Sequence, residues 1–572
     1  MTTDGSGSER PSERVQVDQV GYLPTARKHA VTAVDAPRFA VVEAGGGRVA
    51  DAGDLSGPIE DDDAGETVRL AEFSGMSEPG EYRVVVGSGE ADDGGIESVA
   101  AESVPFRIAS DVYDGTLVDA VRLYSLKRSN TAIDDPVTGL DIDAGHAQDA
   151  EARLYFGDDF RDEGDRIDVA GGWYDAGDYG KYVPPAAVTV GQMLLAFEQY
   201  PDAFEAGRCD LPVGASTADP ETGLPDLLVE ATFELEWLER MQRPDGAVYH
   251  KVAAAEWSDF DERPADDARD RFVYGLSTFG TAQYAAAMAM AARVYAGRSP
   301  DFAERALENA REAQAYLESN PDPRFRFDEG QDDGSGPYRK ETDAEERFWA
   351  AAELLKTTGE ERYADYLETE FREQFAADVR APVWSDALSL GQWAYLTAGD
   401  GVTDADRRSQ LESAFVDYAD DLAATATATR WRPRSTTGRR RSSRSRRGGL
   451  LLLANELDPD ERYVAGALDQ LHYALGRTPT GYSYVTGQGT YPPRNPHDRL
   501  VESTGTYVPG MVLSGANRDG DDECLAEYIA RTDAPPAKCF VDATPAYSAT
   551  EWAIDYTAPI FLLLGHATTR EH

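Results

Sequence analysis

Asp175 and Asp178 stand three residues apart in the stretch DVAGGWYDAGDYGKYV, residues 168–183. Gly171, Gly172, Gly177 and Gly180 flank them, and Trp173, Tyr174, Tyr179 and Tyr182 crowd the same segment. Glycines this dense disfavour a regular helix or strand and predict a tight loop. Two carboxyls beside aromatic faces suit a sugar-cleaving site, where acids move protons and rings stack on pyranose faces. A solvated turn is the plainer reading in so acidic a chain, and two further constellations weigh against it. Glu551 follows Tyr547, Ser548 and Thr550 at the expected start of an apolar helix, with Ser548 and Thr550 as candidate caps. A carboxyl with apolar neighbours there can hold a raised pKa and act as a general acid, although the helix dipole alone would also favour a glutamate. His497 and Arg499 lie on a Gly/Pro/Tyr-rich loop, spaced so that both can donate to hydroxyls or a carboxylate in a cleft.

The elements that must position these groups fall into two classes. Residues 1–13 read as a disordered tail. Over 14–110 the segments VQVDQVGYL, HAVTAV, RFAVVEA, TVRLAEF, EYRVVVG and SVPFRIA are strand-like, with turn residues between them, which predicts a small β-sandwich. Over 111–570 the period becomes helical. Leu228, Ala231, Leu235 and Leu238 share one face, and about a dozen such stretches follow one another, joined by long Gly/Pro/Asp-rich loops. Among them, 549–564 reads as one helix and another lies near 448–456. Helix pairs with long loops fit an α/α toroid with a cleft at one end. An α-solenoid is the alternative, disfavoured by the lack of a fixed repeat.

The net charge of −49 opposes binding to nucleic acid or anionic membranes. Only seven of the 55 basic residues are lysines. Acid spread along the whole chain suits high salt, where repulsion is screened. Cys209, Cys524 and Cys539 are too few for a disulfide framework. Cys524 with Cys539 is the pairing to test. No clustered Cys/His motif suggests zinc. The polar N-terminus MTTDGSGSERPSER lacks an apolar core, so a cytoplasmic protein is expected unless an export signal lies outside this sequence. Residues 430–447, RWRPRSTTGRRRSSRSRR, hold nine arginines. A polyanion-binding arm or a solvated loop would account for them. The preferred reading is a local frame error, because the codons of Ser435-Thr436-Thr437-Gly438 shifted by one nucleotide permit Leu-Tyr-Tyr-Trp or Leu-Asp-Asp-Gly. The in-frame pattern resumes at Gly449.

Taken together, these segments resemble glycoside hydrolase family 9, the cellulase family, over nearly the whole chain. VQVDQVGYLP resembles the opening of the immunoglobulin-like domain found in one branch. GGWYDAGDYGKYV, LGRTPTGYSYVTGQG with NPHDR, and AYSATEWAIDYTAP resemble the aspartate, histidine and terminal glutamate motifs. The resemblance implies a mainly α protein, an (α/α)6 barrel behind an immunoglobulin-like sandwich, acting by inversion on β-1,4-glucans or cello-oligosaccharides. By resemblance Asp178 is the general base, Asp175 orients the water and Glu551 is the general acid. His497 and Arg499 hold hydroxyls and Tyr547 lines the catalytic subsite, with Trp173 and Tyr179 as further candidate substrate contacts. An inverting pair needs a separation of roughly 6.5–9.5 Å to admit water.

Three departures accompany the resemblance. The positions matching the branch's structural zinc are Ser129, Gly145, His146 and Tyr174. Only His146 keeps a ligand type, so zinc is not expected. No cofactor is required; calcium, also found in the family, stays an open alternative with no clear loop assigned to it. Asp498 stands where the family has a second histidine. The arginine-rich stretch occupies the place of a YWGSN-like segment, which agrees with a frame error. A monomer is expected. The rival readings are an exo-acting cellodextrinase or glucosaminidase of the same fold, and a carbohydrate-binding protein without turnover.

Overall fold

The computed structural model describes residues 15–91, 94–212, 223–325, 335–399, 401–426 and 443–569. Strand Gly80–Glu90 turns Tyr82, Val84 and Val86 to one buried face, as the two-residue period of a strand requires. It pairs with Arg38–Glu43 inside a six-stranded sheet. A three-stranded sheet carries His29–Thr32, Glu66–Glu72 and Ser56–Asp61. Phe39, Val41, Phe73 and Phe106 join residues of both sheets in one core, so this region is the expected sandwich. Strands Val49–Asp54, Ser56–Asp61 and Ile96–Glu102 escape the sequence pattern. They are mostly polar or exposed, and each lies on the margin of its sheet.

Beyond the sandwich, twelve principal helices stand among the described residues: α1 (Asp114–Leu126), α2 (Val183–Gln199), α3 (Asp226–Arg240), α4 (Thr278–Tyr295), α5 (Pro300–Ser319), α6 (Ala344–Thr358), α7 (Glu361–Glu370), α8 (Leu388–Leu396), α9 (Ala405–Ala426), α10 (Ser443–Leu457), α11 (Glu461–Ala474) and α12 (Ile560–Thr568). The buried members α2, α4, α6, α8, α10 and α12 form the inner ring. In it α4 packs on α2 and α6, and α12 closes the ring against α2. The more amphipathic α5, α7 and α11 lie outside, beside α4, α6 and α10. This is the (α/α)6 barrel. No described helix is long and apolar enough to cross a membrane.

Three expectations change. The run 549–564 is not one helix: it breaks into Tyr547–Thr550, Ile554–Thr557 and α12, with Ala553 extended and Pro559 just before α12. Residues 430–442 lie outside the described residues, but α10 begins at Ser443, ahead of Gly449. Arg446 is buried in it and bonded to the Asp555 carboxylate at 2.7 Å. Cys524 and Cys539 are unbridged. The Cys539 thiol instead donates to the carbonyls of Ala534 and Pro535 at 3.3 Å.

The VQVDQVGYL motif is the joint between the sandwich and the barrel. The Gln19 amide donates to the Gly481 carbonyl at 2.7 Å, and its oxygen accepts from the Thr490 and Tyr491 N–H groups at 3.1 and 2.8 Å. Asp18 accepts from the N–H groups of Val20 and Gly21 and from Tyr113 Oη. Burial nevertheless pushes its pKa up to about 8. Asp469 binds Arg27 and Arg477, while burial holds His29 and His472 neutral beside them. Gln19→Ala leaves three backbone groups without partners, so a destabilisation of about 2–4 kcal/mol is expected. Thermal unfolding measures it, and an unchanged melting temperature would contradict this account of the joint.

Candidate active site

Glycine makes the acidic loop possible. Gly172 adopts φ +79°, and a Cβ there would lie 2.7 Å from the Trp237 ring. The loop closes on itself through Asp175 N–H to the Gly180 carbonyl (3.0 Å) and Gly180 N–H to Asp178 Oδ2 (3.0 Å). Behind it, Lys181 and Arg271 share buried Asp149 at 2.8 and 2.9 Å. Burial alone would raise the pKa of Asp149, but these two cations outweigh it and bring the value to about 2. Arg271 also donates to the Tyr179 carbonyl.

Three segments remote in sequence meet at Gly177. Arg499 donates to the Gly177 carbonyl from both its backbone N–H (3.0 Å) and its guanidinium (3.1 Å). Ile554 N–H donates to the Asp175 carbonyl at 2.8 Å. A Cβ on Gly177 would lie 2.3 Å from the His497 carbonyl and 3.1 Å from Glu551 Oε1, so only glycine allows this approach. Glu551 is not at a helix start. It is the extended residue after Tyr547–Thr550 and pairs with His497 in a parallel bridge. Its carbonyl accepts from both the N–H and the hydroxyl of Ser514 at 2.9 Å.

The electrostatics separate the carboxyls. Burial and the neighbouring Asp178 charge raise the pKa of Glu551 to about 8. The same two causes raise Asp175 well above the usual range. Asp175 Oδ2 accepts from the Tyr338 hydroxyl, while its buried Oδ1 has no partner among the described residues. Asp178 Oδ2 accepts from Gly180 N–H and from Tyr182 Oη at 3.0 Å each. Asp178 Oδ1 takes no hydrogen bond from the described residues. The arrangement thus sets two carboxyls whose surroundings favour the protonated form beside one held by two donors. That suits moving a proton onto one group while water is activated at another.

Other predicted contacts divide. Tyr547 is 40 % exposed and its ring lies 5.7 Å from that of His497. His497 anchors Nδ1 on the Thr544 carbonyl at 2.8 Å, and burial lowers its pKa. Trp173 does not face a cleft. It is 1 % exposed, its ring packs 4.7 Å from that of Tyr124, and its backbone N–H donates to Glu234. Tyr179 is likewise buried, with its hydroxyl on the Glu262 carbonyl. Both help to build the loop, because its tight turn directs these rings inward. Sequence reasoning missed Tyr338, whose ring packs on Tyr182 and Trp384, and Trp257, 50 % exposed under the Arg499 guanidinium. A lone exposed tryptophan in the acidic run EWSDF was the available signal for the latter.

The positions matched to zinc do come together. Asn130 N–H bonds the Gly145 carbonyl, Ser129 N–H bonds the Gly172 carbonyl, and His146 Nδ1 lies 2.7 Å from the Tyr174 hydroxyl. His146 Nε2 meets Asp267 at 3.2 Å. Both ring nitrogens are therefore engaged, and these residues do not fit a zinc ion. Among the described residues no group of three or more His, Cys, Asp or Glu is disposed to hold a metal.

Residues 113–564, which contain every one of these groups, match the profile described as Glycosyl hydrolase family 9. The chain belongs to glycosyl hydrolase family 9. Residues 10–91 match the Cellulase N-terminal ig-like domain. Endoglucanase D of Acetivibrio thermocellus is 30 % identical over 566 residues, covering 96 % of this chain and 83 % of that protein. A cellodextrinase of Butyrivibrio fibrisolvens is 29 % identical, covering 96 % and 99 %. The crystal structure of the family 9 endoglucanase J30 superposes with a TM-score of 0.91 at 47 % identity, covering 96 % of this chain and all of that one. This chain is accordingly a glycoside hydrolase.

Gly177→Ala tests the meeting point. The added methyl must displace the His497 backbone, so kcat should fall about 100-fold with the fold retained by circular dichroism. Parental kcat would show that the loop does not seat there.

Proposed function

We propose that this chain is an endo-acting β-1,4-glucanase working by inversion. What supports the reading most is that Asp178 and Glu551, far apart in sequence, share one site in which Glu551 is shifted to about 8. At neutral pH Glu551 carries a proton and donates it to the departing glycosidic oxygen. Asp178 keeps Oδ2 on Gly180 and Tyr182, which leaves Oδ1 to take a proton from the attacking water. Asp175, held by Tyr338, orients that water. His497, Arg499 and Tyr547 line the sugar path, and Trp257 offers a stacking face. The net charge of −49 supports a working environment of high salt.

Product analysis in molar salt tests the reading. Cellohexaose and a soluble cellulose derivative should give mixed cello-oligosaccharides. Release of short products from one chain end only would move the assignment to an exo-acting cellodextrinase. Glu551→Gln should lose about 10²–10⁴-fold on these substrates.

The pH dependence carries a definite sign. An acid must be protonated to act, so kcat/KM should fall as pH rises through about 8. A profile flat to well beyond that value would exclude Glu551 as the acid.

A further inference from the structure

Asp498 and Lys127 form an ion pair with both side chains at 0 % exposure, Nζ to Oδ2 at 2.6 Å. Burying such a pair is costly and rarely stabilises more than apolar packing would, so its placement invites a functional account. The parallel bridge between His497 and Glu551 gives the geometry. Side chains alternate along extended backbone, and the next residues, Asp498 and Trp552, are both fully buried. Trp552 Nε1 donates to Asp498 Oδ2 at 2.7 Å, the oxygen that also takes Lys127. Asp498 Oδ1 caps the short helix Arg499–Thr504 through Val501 N–H at 2.9 Å. Lys127 lies 5.0 Å from the centre of the Trp552 ring. Its backbone carbonyl accepts from Tyr174 N–H at 2.9 Å, and Tyr174 immediately precedes Asp175. One residue at the end of α1 thus grips the acidic loop with its main chain and the Glu551 segment with its side chain.

We infer that Lys127, acting through Asp498 and Trp552, is a positioning residue that sets the span between the Asp175–Asp178 loop and Glu551. The inference rests on Glu551 being the general acid. Asp498 also contributes negative charge that favours a proton on Glu551. The groups around Glu551 are Asp175 and Asp178 of the acidic loop, the Gly177 N–H, Arg499, Asp498, Tyr547 and Tyr556. Asp498 is the carboxylate among them that lies outside the acidic loop.

The test compares the parent, Lys127→Met, Asp498→Asn, the double variant and Glu551→Gln on cellohexaose across pH. Asn at 498 removes the charge and keeps one of the two acceptor oxygens, enough for the Val501 cap or for Trp552 but not for both. Asp498→Asn and the double variant should show kcat lowered about 10- to 100-fold with KM little changed. Their alkaline limb should lie at lower pH than the parent's. Lys127→Met should lose kcat without that acidward shift. If Asp498→Asn folds poorly because it strands the lysine, the double variant, which buries no charge at this place, carries the comparison. Parental kcat and a parental alkaline limb in the double variant would make the pair merely structural and overturn the inference. If Glu551→Gln itself retains parental activity, the assignment of the acid fails instead, and that result is read independently of the others.

Discussion

Burying several carboxyls in one place is the constraint that organises this molecule. Asp178, Glu551 and Asp555 all lie close enough to perturb Asp175, and Asp178 perturbs Glu551 as well. Two like charges about 4 Å apart repel by about 4 kcal/mol at an effective dielectric near 20, so the group cannot ionise fully. The surroundings decide where protons stay. Asp178 is given two donors. Glu551 has only the Gly177 N–H and more distant Arg499 to offset its burial. Asp555 is offset by Arg446. Unequal surroundings of this kind turn equivalent carboxyls into an acid and a base.

Holding such a group together requires rigid backbone, and the barrel supplies it in layers. The acidic loop is tied from behind by Lys181, Arg271 and Asp149, and across the mouth by Ile554 and Arg499. The sandwich contributes at a distance. Gln19 fixes Gly481, Thr490 and Tyr491, the loop that leads into His497. Losing the joint would loosen the histidine segment before it touched the carboxyls.

The fold was legible where period and glycine carried the signal. The buried stretches of α2 to α6 announce themselves by spacing, and DAGD reads as a loop because its glycines forbid anything else. The site was legible in its acids but not in its orientation. Trp173 and Tyr179 sit beside the carboxylates in sequence, yet a turn this tight sends them into the core. Glu551 resembles a helix start only because the apolar run continues past Ala553 and Pro559, where the backbone breaks. Tyr338 was invisible because its partner Asp175 is remote in sequence. In sequence Asp498 shows only as a departure, standing where the family has a second histidine. It is a buried hub, and only the placement of Lys127 explains it.

The central claim is that Glu551 gives the proton to the leaving group while Asp178 activates water. Leaving-group dependence separates these roles most directly. On a dinitrophenyl cellobioside, whose leaving group needs no proton, Glu551→Gln should recover to near the parental rate, whereas Asp178→Asn should remain severely impaired. Equal impairment of both variants on that substrate and on cellohexaose would contradict the account.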